Sequence, residues 1–262
     1  MTEPRSISAV NELPQARKES IYRRFLPEEL LERFQLPASL VDHNGNNLLT
    51  LRCRAGTTDA VVSLRHSYEA EDPILFAHLT DTMNGQIHVL LYILNDPLSP
   101  RFDVDRMPDG TPTEFGSFRR NLEAERAALL AGLAPGQVRS GLRLLRHSIE
   151  AFEGFVDSLG HDVYFIDPLA YHNAVVFERY GFHYQQGRRK MEQIDLGFQP
   201  GGEFYDRLDG STPFRSPDFH TSIRGRSWAI HDGILGEPFT NVIMYKELGQ
   251  TSIITTFPDA SW

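Results

Sequence analysis

The amino-acid sequence predicts an α/β fold with a mixed, mostly antiparallel sheet, flanking helices and a C-terminal extension. Four β-rich segments follow one another early in the chain, an apolar stripe at helical spacing comes later, and a strand–helix–strand pattern occupies residues 162–187. Such a sheet needs helices to cover at least one apolar face. We therefore expect a single domain over residues 1–262, with a core over 48–195 and an extension over 196–262.

The first predicted elements are two short helices within residues 19–34. Their apolar side chains recur at helical spacing, which predicts one buried face. These side chains are Ile21, Phe25, Leu30, Leu31 and Phe34. Pro27 interrupts the pattern, and proline inside a helix removes a hydrogen bond and clashes with the preceding turn. Two helices are therefore favoured over one.

An antiparallel meander is predicted next. Its four strand-like segments are residues 48–54, 60–66, 74–80 and 86–94. Asn84-Gly85 separates the last two, and this dipeptide between two β-rich segments is a good hairpin signal. Consecutive strands joined by short turns are expected to pair with their neighbours in sequence.

A long loop, residues 95–118, precedes a predicted helix over 119–131 that Gly132 closes. Loops of this length are functional or mobile in most compact domains. The loop carries four acids: Asp103, Asp105, Asp109 and Glu114. Their spacing does not match a calcium-binding loop, which places acids at alternate positions before a glycine. A solvated turn is the alternative, and no metal is expected.

A longer helix is predicted over residues 137–159. Its apolar stripe consists of Val138, Leu142, Leu145, Ile149, Phe152, Val156 and Leu159. Arg139, Arg143 and Arg146 lie in the first half, where the helix dipole disfavours positive charge. The arrangement makes sense if an anion binds at the helix start, because free N–H groups and arginines would converge on it. A solvated face with intrahelical ion pairs is the other interpretation.

A strand–helix–strand unit follows. Residues 164–166 and 182–184 are rich in aromatic and β-branched side chains, as strands are. Between them, Asp167-Pro168 is a typical helix start, with a capping side chain before proline. Gly181 is a typical helix end, because glycine adopts the left-handed conformation there.

The Tyr180-Gly181-Phe182 ending of this unit resembles the last helix and following strand of the GNAT-type N-acetyltransferase superfamily. The resemblance covers about residues 60–195 and is strongest over 162–187. In that superfamily, a Q/R-x-x-G-x-G/A loop binds the pyrophosphate of acetyl-CoA, and the stretch similar to it here is residues 133–145. The resemblance implies cofactor contacts from Gln137, Val138, Arg139, Ser140, Gly141, Arg143 and Asn173.

This chain departs from the family pattern at several positions. The spacing from Gln137 to Gly141 is one residue longer than in the motif, and Arg143 stands where the last small residue belongs. Aligned on the Tyr-Gly-Phe ending, Phe177 occupies the usual place of the catalytic Tyr, and Ala170 that of the usual Asn.

The activity implied by the resemblance is an acyl-CoA-dependent N-acyl transfer to a small amine-bearing substrate. His172 and Tyr171 are the catalytic candidates, with Asn173 and Tyr180 nearby. A neutral histidine can accept a proton near physiological pH. One alternative is a non-catalytic GNAT-like protein that binds a small molecule or a partner. Another is a metal-assisted enzyme using His and Asp side chains of the loop and tail.

The tail segment 224–233 contains two arginines, a tryptophan and a His-Asp pair. It is interpreted either as the lining of an acidic or aromatic substrate site or as a strand that packs its tryptophan in the core. Residues 241–257 have strand character again.

Composition limits the partners and the compartment. The formal charge of −9 disfavours general binding to nucleic acid or anionic membranes. One cysteine, Cys53, cannot form an internal disulfide, which fits a reducing cytoplasm. The longest apolar run, Val89–Leu94, is far shorter than the ~20 residues of a membrane helix. We expect a cytoplasmic protein with a small-molecule substrate; a homodimer is left open.

Overall fold

The computed structural model describes residues 4–113 and 119–262. Within them the strands are β1 Leu49–Arg52, β2 Asp59–Leu64, β3 Leu75–Asp81, β4 Ile87–Leu94, β5 Val163–Ile166, β6 His183–Gln186 and β7 Ile243–Glu247. The α-helices are α1 Ile7–Asn11, α2 Gln15–Tyr22, α3 Glu28–Arg33, α4 Leu122–Leu130, α5 Leu145–Ser158, α6 Tyr171–Glu178, α7 Arg188–Phe198, α8 Glu203–Asp206 and α9 Ile223–His231.

The strands form a mixed, open sheet with the order β1-β2-β3-β4-β5-β7-β6. The first four strands pair antiparallel, each with its neighbour in sequence, and β4 pairs with β5 in parallel. The predicted α/β class, the mixed sheet and the antiparallel meander are confirmed. The parallel pair arises because the chain leaves the sheet after β4 and returns through α5, since parallel neighbours need a crossover connection.

The chain divides into two compact units, each built from separated segments. Unit 1 comprises the chain up to Leu98 together with Gly141–Asp167 and Tyr245–Gln250. Unit 2 comprises Ser99–Ser140, Pro168–Met244 and Thr251–Trp262. The single domain with a C-terminal extension stays a prediction.

In unit 1, α5 packs its aromatic side chains against Phe25 and strand β5. The ring of Phe152 lies 5.7 Å from that of Phe25, 5.5 Å from Phe155 and 5.0 Å from Tyr164. Aromatic side chains bury more apolar surface than most others, so this cluster is a major source of stability. Pro27 directly precedes α3, as the predicted break between two helices requires.

In unit 2, α4 and α9 enclose a second core. Its buried members are Val104, Ala128, Leu133, Phe214 and Trp228. The Trp228 indole N–H donates to the Leu133 carbonyl at 2.8 Å, which satisfies the polar atom of a fully buried ring. The Arg226 guanidinium lies 3.4 Å from the centre of the Phe257 ring and fixes the C-terminal segment by a cation–π contact.

The long predicted helix begins at Leu145, not near residue 137. Arg143 has a φ of 60°, which is incompatible with a right-handed helix. Val138 packs against the core of unit 2 instead. The stripe from Leu145 onward is confirmed, since Phe152, Val156 and Leu159 are buried.

Three further boundaries differ from the predictions. Helix α6 begins at Tyr171 with Ala170 as its N-cap, whereas Asp167 still belongs to the strand pairing. Segment 224–233 forms α9 and not a strand. In residues 241–257, only β7 is extended strand. No helix of residues 4–113 or 119–262 is long and apolar enough to cross a bilayer.

Candidate functional site

The pairing of β4 with β5 ends midway along β4, because β5 itself ends at Ile166. Their parallel register pairs His88 with Phe165 and Val89 with Ile166, and the Asp167 N–H then donates to the Val89 carbonyl at 3.0 Å. Strand β4 continues to Leu94 and stays paired with β3 on its other side. The edge of β4 after Val89 therefore extends beyond its pairing with β5.

A β-bulge lies beside the end of this pairing. The β3–β4 register shifts between His78, which faces Leu91, and Leu79, which faces Val89. Leu90 is thus an extra residue with no partner on β3. Bulges bend a strand, release its backbone groups and are frequent beside active sites. The five residues from Leu90 onward are all only partly buried, although they lie on an inner strand.

A histidine–carboxylate pair lies next to the bulge in unit 1. The Nε2 atom of His88 is 2.9 Å from Oδ1 of Asp167, and the side chains are 18% and 28% exposed. The Phe165 ring is 6.2 Å from the His88 ring and 6.4 Å from the Tyr245 ring. Sequence reasoning missed this pair because 79 positions separate its members; the visible signal was an acid directly after a strand.

The first turn of α5 presents an unusual concentration of positive charge. Its N-cap, Leu144, supplies no side-chain hydrogen bond to the free N–H groups. Arg143 and Arg146 are exposed, and neither has an ion-pair or hydrogen-bond partner in the described part of the chain. Arg33 donates to the Leu142 carbonyl at 3.0 Å, just before this helix, and is paired with Asp96 at 3.7 Å.

Two buried hydroxyls lie beneath this turn. The Tyr92 and Ser148 side-chain oxygens are shielded from solvent, and neither makes a hydrogen bond of normal geometry within residues 4–113 and 119–262. Burial raises the pKa of Tyr92, which the neighbouring Ser148 hydroxyl partly opposes, so Tyr92 stays protonated. Most buried polar groups have a partner, and an exception indicates a site for a water molecule or ligand atom.

The predicted phosphate loop has internal partners in unit 2. The Gln137 side-chain oxygen accepts from the Ala134 N–H at 2.7 Å. Arg139 donates to the Ser99 carbonyl at 2.6 Å, and the Ser140 N–H donates to the Ser99 hydroxyl at 3.1 Å. These contacts fix the loop, and a role in binding cofactor stays a prediction for these residues.

The remaining predicted loop residues divide between the two units. The Val138 carbonyl accepts from the Phe102 N–H at 2.8 Å in unit 2. In unit 1, Gly141 approaches the Leu94 carbonyl, and Arg143 follows in the left-handed conformation. Of the predicted cofactor contacts, Arg143 is the one beside the first turn of α5.

The catalytic candidates of α6 are buried in unit 2. The His172 Nδ1 atom is 2.8 Å from the Ser227 hydroxyl. Burial, with a smaller contribution from His231, lowers the pKa of His172 to about 4, so the ring is neutral at pH 7. The Tyr171 hydroxyl accepts from Arg226 at 3.5 Å, and burial raises the pKa of Tyr171 to about 12.

These two side chains make structural contacts, and their catalytic roles stay predictions. Asn173 lies in the same first turn, where its N–H donates to the Ala170 carbonyl at 3.0 Å. The α6 helix ends as predicted, with Gly181 at a φ of 81°.

The described acids of the loop are held by neighbouring groups. Arg101 makes ion pairs with Asp103 and Asp105, and Asp109 accepts hydrogen bonds from its own turn. Glu114 lies outside the described residues. Among the residues that the structure describes, no three His, Cys, Asp or Glu side chains are placed to hold a metal ion.

The tail segment is engaged in an ion network of unit 2. The His231 Nε2 atom is 3.0 Å from the Glu125 carboxylate, and Arg120 binds both Glu125 at 2.6 Å and Asp232 at 2.8 Å. Burial alone would raise the pKa of Glu125, but hydrogen bonds from His231 and Arg120 hold it below its usual value. These contacts tie α4 to the end of α9.

Comparisons with models of known families, with curated proteins and with solved structures returned no match. The geometry of the chain is therefore the basis of the functional argument. The strongest candidate site lies in unit 1, where the pairing of β4 with β5 ends and the first turn of α5 carries unpaired arginines.

Proposed function

We propose that this chain is an acyl-CoA-dependent N-acyltransferase acting on a small amine, with a GNAT-like core over residues 48–195. The end of the β4–β5 pairing beside the Leu90 bulge carries the proposal. In open α/β sheets, ligands commonly bind in the crevice outside the carboxyl ends of the strands. The partly exposed, apolar end of β4 supports this role.

The free edge of β4 suits the pantetheine arm of acyl-CoA. That arm is extended and carries two amide groups, so it can hydrogen-bond to a strand edge as an added strand does. Beyond Val89, the β4 edge extends past its pairing with β5. The hydroxyls of Tyr92 and Ser148 could each donate a hydrogen bond to a polar atom of the ligand or accept one from it.

The first turn of α5 suits the phosphates. Positive side chains at a helix N-terminus are unfavourable unless an anion neutralises them. Arg143 is also held at a φ of 60°, and non-glycine residues in this conformation concentrate at functional sites. The proposed phosphate contacts are therefore Arg143, Arg146 and the free N–H groups of α5.

Acyl-CoA supplies an activated thioester carbonyl. The protein's part is to hold that ligand against β4, shield the carbonyl from water and position an amine beside it. The non-catalytic alternative uses the same crevice for binding alone, so binding and turnover must be measured separately.

Calorimetry tests the proposal with two ligands that differ in their phosphates: acetyl-CoA and S-acetylpantetheine. Replacing both Arg143 and Arg146 by Ala should weaken acetyl-CoA by about 30-fold or more, because two charge-assisted contacts are lost. Binding of S-acetylpantetheine should change less than about 2-fold, because that ligand has no phosphate to meet these arginines. Arg54→Ala is the control, since Arg54 is exposed between β1 and β2.

No detectable heat with acetyl-CoA at millimolar concentration would overturn the acyltransferase proposal. Equal weakening of both ligands would show that the arginines act on the fold and not on the phosphates. Binding of acetyl-CoA without release of free CoA thiol in the presence of any amine would favour the binding protein.

A further inference from the structure

We propose that His88 and Asp167 act together as the base that takes the proton from the acceptor amine, and that the acceptor is a small aromatic amine. This inference rests on the proposed function. It concerns side chains to which neither the family resemblance nor the predicted catalytic pair on α6 assigns a role.

The position of the pair supports the inference. His88 precedes the Leu90 bulge by two residues, and Asp167 follows the last parallel pair of β5. Both therefore stand where the pairing of the two strands ends and where the thioester carbonyl would lie in the proposed complex. Their side chains are partly exposed, so a substrate can reach them, whereas His172 is 5% exposed.

The geometry of the pair suits a general base. Asp167 lies 2.9 Å from Nε2 of His88, which favours the tautomer with the proton on Nε2 and leaves the lone pair on Nδ1. When Nδ1 accepts a proton, the carboxylate stabilises the imidazolium that forms. His88 would thus act as the base, and Asp167 would orient it, as a third group orients the base in other enzymes.

The reaction step balances with these groups alone. The bound ammonium group first releases one proton to water. The neutral amine nitrogen then attacks the thioester carbonyl, a second N–H proton passes to Nδ1 of His88, and the new N–C bond forms as the C–S bond breaks. The departing thiolate takes a proton from the imidazolium, so His88 returns to its neutral form. The products are one amide and one free thiol, and no oxidant, reductant or metal is required.

The neighbouring side chains indicate the acceptor class. The Phe165 ring contacts the rings of both His88 and Tyr245, so the three rings form a row beside the carboxylate of Asp167. Phe165 and Tyr245 are partly buried and keep part of their surface exposed. Aromatic rings stack with an aromatic substrate, and a carboxylate attracts an ammonium group before it loses its proton. A phenylethylamine such as tyramine combines both features.

Steady-state acylation of tyramine by acetyl-CoA is the test. His88→Gln should lower kcat about 100-fold or more, because a positioned base contributes about 10²–10⁴-fold. The affinity for acetyl-CoA should be unchanged. Asp167→Asn should lower kcat by a smaller factor. His78→Gln is the matched control, since His78 pairs with Asp59 on the same sheet.

The outcomes separate the two proposals. If His88→Gln binds acetyl-CoA and keeps kcat within about 2-fold, the base assignment is wrong while the acyltransferase stands. Binding of acetyl-CoA by wild type without acylation of tyramine would also overturn the inference. Preference for putrescine over tyramine would overturn the aromatic acceptor. If His88→Gln does not fold, His88→Asn provides the same comparison.

Discussion

Replacing Phe152 by Ala should destabilise the protein by about 3–5 kcal/mol. The side chain is 4% exposed, and its ring meets those of Phe25, Phe155 and Tyr164 within 5.7 Å. Burial of an aromatic side chain of roughly 150–250 Å² contributes about 4–6 kcal/mol at ~25 cal/mol per Å². Alanine retains part of this surface, and the cavity left among rigid rings adds to the loss.

Urea unfolding followed by far-ultraviolet circular dichroism measures the effect. Leu98→Ala is the control, because Leu98 is 85% exposed and its truncation should change stability by less than about 0.5 kcal/mol. A loss below about 1 kcal/mol for Phe152→Ala would refute the argument that α5 packs its aromatic stripe into the core of unit 1. Cofactor affinity is not needed for this test, so it stands apart from the functional proposals.

Two further predictions concern pH and buried charge in unit 2. Native His172 has a pKa of about 4, whereas the same side chain is protonated below about pH 6.5 in the unfolded chain. The free energy of unfolding therefore falls as the pH decreases from about 6.5 to about 4. His172→Gln should remove this pH dependence, which amounts to about 3 kcal/mol between pH 7 and pH 4.5 in urea titrations. An unchanged pH dependence would contradict the prediction. Glu125→Gln should cost about 3–5 kcal/mol at pH 7, because Arg120 and His231 lose their carboxylate. Because the pKa of Glu125 is lowered in the folded protein, its carboxylate stabilises the fold at pH values above the usual glutamate range. The destabilisation by Glu125→Gln should therefore be smaller below about pH 4, which thermal melting of both proteins measures.

Local patterns predicted the meander well because its strands are joined by short turns. Alternating burial along β3 and the Asn84-Gly85 turn are local properties, and both appear in the structure. The predicted start of this helix, near residue 137, was wrong for a physical reason. Val138 and Leu142 fall in the helical register by spacing, yet each packs from irregular backbone, and Arg143 interrupts any helix there.

The tail was the least predictable region. Helix α7 was not predicted, although it buries Met191, Ile194 and Phe198 at helical spacing. The segment around Trp228 is short, and periodicity alone does not distinguish a buried strand from a buried helix over such a length. Its helical state follows from packing against Leu133 and Phe214, which are distant in sequence.

The candidate site was predictable only in part. The charge mismatch near Arg143 and Arg146 left two interpretations open, an anion at the helix start or a solvated face. Arg143 lies just before α5 and Arg146 in its first turn, and both are exposed. The pairing of His88 with Asp167 requires knowledge that β4 and β5 are parallel neighbours. That adjacency is a topological property, so no spacing rule could have found the pair.

The order of segments along the chain has a consequence for synthesis. The sheet places β7 between β5 and β6, yet residues 245–250 are made after nearly all of unit 2. On the ribosome the β1–β4 hairpins can form early, since their contacts are local. The outer edge of β5 stays unpaired until β7 emerges, and an open strand edge can pair with another chain. Nascent chains halted before residue 243 should therefore aggregate more readily than the finished protein.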